Sequence, residues 1–379
     1  MERAMKKAEG WAWGGLAAAA VMAASSWSWG FGKPAAPEPT APAAAPAVLL
    51  EKGLETLWST EVLPDAGTEV VSAWVVGDYV VVRGTDNRLF CVRALSGERL
   101  WSRPVAAAHE TVWRPALDGD TLWMATTTHL LGVGAATGKA AWSRDLDFPP
   151  SGPVATNGTH CFVPDAKGWL QAVAVVGRTP SWGRWTDSTM TAGPVVDSGA
   201  VYFASQSGVV YASAQNVRRV LWRYRTEGAV TADLRLGRGG VVLAASHDYS
   251  VYAFSGSTGE MVWRFNAGEP VAKPAYTVGD QVYVFRDVGG MTALDVADGS
   301  ALWELASGAD FVSAGPETVY VRSVSDMLLA VDRSTGAVGF GVPMRRDVVV
   351  ATNETGNGVI YLATPDGDVM AVGKRREEP

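Results

Sequence analysis

Residues 255–263 read SGSTGEMVW, and near-copies of the phrase stand at 94–101 (ALSGERLW), 135–142 (AATGKAAW) and 296–303 (VADGSALW). Aligned on the closing aromatic, the chain gives Trp58, Trp101, Trp142, Trp182, Trp222, Trp263, Trp303 and Phe340, at intervals of 43, 41, 40, 40, 41, 40 and 37 residues. Ten residues before each aromatic from Trp101 onward stands a small residue: Cys91, Gly132, Ala172, Ala212, Ala253, Ala293 and Ala330. Two marks kept in register at a fixed period identify a repeated structural unit.

Within one unit, 271–307, four β-like runs are separated by VGD, DVGG and ADGS. Glycines 97, 138, 259, 299 and 336, four residues before their aromatics, supply the positive φ of a tight hairpin turn. The phrase is therefore the last turn and last strand of a four-stranded sheet, and units of this size predict propeller blades. The aromatic is expected to fill the wedge between blades, packed against the small residue.

The two ends settle how many blades there are. LETLWSTEV (54–62) is a last strand with no blade before it, while 348–374 supplies three strands, with Ala371 in the small position. Joined, they make an eighth blade and leave no sheet edge open at the seam. The fold class expected is all-β: an eight-bladed β-propeller of four-stranded antiparallel blades, closed by an N-terminal strand that completes the last blade. The 320 residues from Leu54 to Gly373 equal eight units of 40.

Ahead of the propeller, placed at 50–379, basic residues Arg3, Lys6 and Lys7 precede an uncharged run at 11–32. That order predicts export, with residues 1–32 as a signal peptide or a retained signal anchor. Pairs of Trp near each end of the run are separated by roughly 24 Å if it is helical, close to a hydrocarbon core with its aromatic belts. Residues 33–49 read as a Pro/Ala-rich linker. Membrane contact is expected only through the N-terminal segment, and the propeller is expected to be monomeric and extracytoplasmic.

A net charge of −7 argues against nucleic acid as a partner. Cys91 and Cys161 fall in core positions of different units, which disfavours a disulfide. The histidines, 109, 129, 160 and 247, show no metal-ligand spacing. No catalytic, cofactor-binding or metal-binding residue is expected.

The phrase of small residue, Thr-Gly and Trp resembles the tryptophan-docking repeat of the pyrroloquinoline quinone (PQQ) propellers. That superfamily covers eight-bladed quinoprotein dehydrogenases and the non-catalytic BamB lipoproteins of outer-membrane assembly. The resemblance covers 54–373 and implies either a scaffold for protein partners of the cell envelope or, as the alternative, a PQQ- and calcium-binding dehydrogenase or sensor. Such dehydrogenases need calcium ligands, an Asp base, an adjacent Cys pair and roofing loops, which units of 40 residues leave little room to build. BamB lipoproteins usually carry a lipidated Cys, and here no Cys precedes Cys91.

Two neighbouring units depart from the repeat: VVGRTPSW (175–182) and QNVRRVLW (215–222) lack the placed Gly, and Phe340 replaces the seventh Trp. Around the same two last strands an acidic chain gathers Arg178, Arg184, Arg218, Arg219, Arg223 and Arg225 with Trp185. Arg and Trp are enriched at binding hot spots, which makes this a candidate partner patch. The competing reading is that the charges guard a sheet edge against aggregation.

Overall fold

The structure is a computed structural model that describes residues 46–63, 67–177 and 180–375. Residues 1–32, expected to direct export, most of the expected linker, and Arg178 lie outside the described residues.

Eight four-stranded antiparallel sheets account for the strands. Blades 1 to 7 are consecutive in the chain, at residues 70–104, 116–145, 155–185, 195–225, 235–266, 276–305 and 308–343. Blade 8 takes three strands from 349–374 and its fourth from Leu54–Glu61, which pairs antiparallel with Asp368–Lys374. Trp58 stands opposite Ala371, so the two ends of the propeller share one sheet, as the sequence predicts.

The middle strands are buried on both faces because a neighbouring blade covers each side. Val80, Val81 and Val82, or Cys161, Phe162 and Val163, are therefore consecutive fully buried residues instead of an alternating set. Outer strands are covered less: in Val220–Arg225 only Trp222 is buried.

The repeated phrase locks one blade to the next. The indole N–H of Trp58 donates to Ala94 O of blade 1 at 2.9 Å, and Trp101 donates to Ala135 O at 2.7 Å. Trp182, Trp222, Trp263 and Trp303 repeat the bond to Gln215, Gly256, Val296 and Arg333. In blades 1, 2, 5, 6 and 7 the ring of the preceding tryptophan lies on the turn glycine. A Cβ on Gly259, whose φ is +76°, would sit 2.5 Å from Trp222 Cγ. That glycine is needed twice over, for a left-handed backbone and for the close approach of the indole.

The expectation about the small residue is refined accordingly. Each is the cross-strand neighbour of the aromatic within its own sheet, as in Cys91 with Trp101 and Ala253 with Trp263. It clears space beside the aromatic, while the glycine across the gap receives the ring. A further device goes beyond the sequence reading: a β-bulge precedes the aromatic in seven blades, all but blade 3. A bulge re-aims the side chain that follows it. Its extra residue turns outward, which accounts for the exposure of Leu57, Leu221, Val262 and Leu302.

One boundary shifts. Residues Pro46–Glu51 form a short helix, and Leu49, placed by sequence in the linker, is buried with Leu54, Tyr320 and Ala330 between blades 7 and 8. Leu49 is an apolar residue at the end of a Pro/Ala run, and the seam between the chain ends offers it a place to leave water.

Candidate functional site

Charge gathers in the central channel and in the outer groove between blades 3 and 4.

The channel holds a cavity of about 450 Å³ with Trp74, Arg114, Asp233, Arg235, Tyr276 and Glu354 in its wall. Arg114 Nη2 reaches Asp233 Oδ2 at 3.2 Å, Arg235 Nη1 lies 3.7 Å from Asp233 Oδ2, and Arg235 Nε reaches Glu354 Oε1 at 3.0 Å. Asp233 also accepts the Gly193 N–H at 2.7 Å, and Glu354 accepts that of Thr277 at 3.3 Å. The network thus ties blades 2, 4, 5, 6 and 8 together. Burial pulls the Arg235 guanidinium down, and the carboxylates of Glu354 and Asp233 more than reverse it, so Arg235 stays charged. Burial pushes the Tyr276 phenol up. Both acidic groups are already held by arginine, and among the described residues no group of three or more His, Cys, Asp or Glu converges as a metal site. A calcium ion takes six to eight oxygen ligands. The channel residues therefore do not fit a calcium-held quinone.

Sequence reasoning missed this network. Arg114 and Asp233 are 119 residues apart, as are Arg235 and Glu354. That separation is close to three repeats, so a search for opposite charges at equivalent positions of units three apart would have found both pairs.

The outer groove collects most of the arginine patch. Arg218 and Arg219 occupy the turn, and Arg223 and Arg225 the outer strand, of blade 4; all four are exposed. Arg184 lies on the facing wall and donates to Arg218 O at 3.4 Å. The Arg218 guanidinium sits 5.8 Å from the centre of the Trp169 ring, and Trp185 is 54% exposed. Arg218 stands where other blades carry the turn glycine. Here the Ala214 N–H bonds to Arg219 O, and among the described residues positive φ is confined elsewhere to glycines and four non-glycine residues that do not include Arg218.

The remaining sequence candidates are structural. Trp142 is the exception among the docking tryptophans: its indole N–H finds no carbonyl among the described residues, and its ring packs edge-on against Trp123 with centroids 5.6 Å apart. Phe340 pairs with Ala330 and faces the seam between blades 7 and 8. Cys91 and Cys161 are free and buried, and burial pushes the Cys91 thiol up to about 12 and Cys161 upward as well, which keeps both thiols protonated.

Residues 50–114 and 166–314, more than half of the chain, match the family described as "Outer membrane protein assembly factor BamB". The chain belongs to the BamB family. A BamB of Yersinia pestis is 24% identical over 280 residues, covering 64% of this chain and 70% of that protein. One from Burkholderia pseudomallei is 23% identical over 306 residues, covering 73% and 80%. The crystal structure of BamB from Moraxella catarrhalis superposes with a TM-score of 0.67 at 16% identity, over 84% of this chain and 99% of that one. A computationally designed protein, Ika8, superposes almost as well, at 0.66 and 13% identity. The propeller therefore establishes the fold, and sequence kinship establishes the BamB family.

Proposed function

We propose that this chain is a non-catalytic, extracytoplasmic scaffold that holds protein partners of the envelope during outer membrane protein assembly. Membership of the BamB family carries the reading, since the matched relatives are named as assembly factors. The chemistry of the channel supports it. In the place where a propeller enzyme would concentrate reactive groups, Arg114, Asp233, Arg235 and Glu354 neutralise one another, and the thiols are buried. No cofactor belongs to this reading.

Depletion of the chain in its native cell tests it, with outer-membrane β-barrel proteins quantified in the envelope fraction. A fall in those proteins, restored by a plasmid copy, is expected. Unchanged levels, together with retention of PQQ by the purified protein in the presence of calcium, would instead favour a quinoprotein.

A further inference from the structure

The outer groove between blades 3 and 4 has a chemistry of its own. On the blade 4 side, Trp222 and Tyr224 turn toward blade 5, where they contact Phe254 with centroids 5.9 and 4.8 Å away. Strand alternation then sends Arg223 and Arg225 to the opposite face, toward blade 3. Arg184 meets them from the other wall. Their convergence is registered at Tyr211, whose phenol burial raises, with Asp187 adding to the rise and Arg223, Arg225 and Arg184 opposing it.

Little in the protein answers this charge. Among the described residues, Arg225 is the one arginine of the five with a carboxylate in range, Asp187 at 3.9 Å, and both groups are well exposed. The central channel solves the same problem in the opposite way, with Arg235 between two carboxylates. In a chain of net charge −7, four of these five arginines have no carboxylate in range among the described residues.

One observation favours a polypeptide over a lipid surface. Val220–Arg225 is an outermost strand, so its outer main-chain groups can pair with an extended chain, while the planar guanidinium groups beside it match that chain's carboxylates with two parallel bonds.

We propose that the groove between the outer strands of blades 3 and 4 binds an extended acidic segment of an envelope protein, with Arg184, Arg223 and Arg225 engaging its carboxylates. The proposal rests on the scaffold reading and specifies the partner's chemistry.

The test uses the purified propeller and a fluorescent peptide of Glu alternating with Val, followed by anisotropy, alongside the same peptide with Gln for Glu and vesicles containing phosphatidylglycerol. The Glu peptide is expected to bind and the Gln peptide to bind much more weakly. Arg223→Glu combined with Arg225→Glu is expected to weaken binding about tenfold or more, in line with loss of close charge pairs. Arg184→Glu, on the facing wall, is expected to weaken it about fivefold, a change that a mere edge-guarding role would not produce. Arg238→Glu, on an exposed turn of blade 5, is the control and should leave binding unchanged; circular dichroism confirms that each variant is folded. Failure of the intact protein to bind the Glu peptide, equal binding of both peptides, or indifference to the double reversal would overturn the proposal. So would binding to the anionic vesicles without binding to the peptide. If depletion still lowers β-barrel proteins while the groove fails these tests, the groove proposal falls and the scaffold reading stands.

Discussion

The contact between blades 4 and 5 and the contact between blades 7 and 8 occupy equivalent places in the ring but are built from different parts. At the first, Trp222 lies on Gly259 and donates its indole N–H to Gly256 O at 2.7 Å. At the second, the turn that would offer the glycine and the carbonyl does not exist, because blade 8 is assembled from the two ends of the chain. In its place the Arg375 N–H bonds to Gly53 O, Leu49 and Leu54 fill the gap, and a cavity of about 1050 Å³ remains on the outside. A Trp there would have no acceptor turn for its N–H and would have to leave it to water. Phe340 carries no polar atom and needs no acceptor. The seventh aromatic is thus an adaptation to the seam, and the deviation from the repeat marks where the ring closes.

The contact between blades 2 and 3 is a third case. The sequence of blade 3, like that of blade 4, lacks the turn glycine, and Trp142 stays half-buried. The aromatic alone does not make the lock; it needs a carbonyl of the next blade, which Trp182 finds at Gln215 even without a turn glycine.

The largest effect should come from removing the closing strand. Deletion of residues 54–61 would leave blade 8 with three strands and an open edge, and aggregation or loss of the folded state is expected on size-exclusion chromatography. A truncated protein that melts with the intact one would refute closure by this strand. Next, Trp222→Ala should cost about 3–5 kcal/mol in denaturant unfolding, as deletion of a buried large side chain does. Trp142→Ala, lacking both the dock and the bond, should cost less than half as much; equal costs would mean that the lock adds nothing.

The glycines give a sharper contrast. Gly259 and Gly239 share a φ of +76°, but a Cβ meets the Trp222 ring at the first and open space at the second. Gly239→Ala should cost about 1 kcal/mol for the backbone alone, and Gly259→Ala clearly more, because the indole must move. Similar losses would show that the ring does not rest on the turn. The smallest effect is expected at the seam. The outer cavity gives Phe340→Trp room, so its indole N–H can reach water and stability should change by less than about 1 kcal/mol. A gain comparable to the loss at Trp222 would mean that a turn-like acceptor exists at the seam after all.

Much of this architecture was legible in the sequence because a propeller repeats its own chemistry. Trp58 without a blade before it and Ala371 without a strand after it declared the closure before any coordinates. The part played by Cys91 or Ala253 was only half legible: spacing ties each to its Trp but does not say whether the two face one another within a sheet or across a gap. The bulges before Leu57 or Leu221 leave no distinctive residue, since any side chain can turn outward. Arg114 and Glu354 were invisible as a site because each pairs with a residue in another blade, and pattern reading along one repeat does not look three repeats away. The arginines of blades 3 and 4 were seen as a cluster. Alternation from Trp222 puts Arg219, Arg223 and Arg225 on one face; in the structure Arg223 and Arg225 lie on the outer strand, while Arg219 falls in the turn beyond the bulge.

Ring closure is tested most directly by a cysteine pair across the final ladder, Glu61→Cys with Asp368→Cys, two exposed residues that stand opposite one another in blade 8. Oxidation should give a disulfide within the monomer, seen as faster migration on a non-reducing gel, and a higher melting temperature that reduction reverses. Thiols that stay free, or bonds that form only between molecules, would show that the two ends of the propeller do not share a sheet.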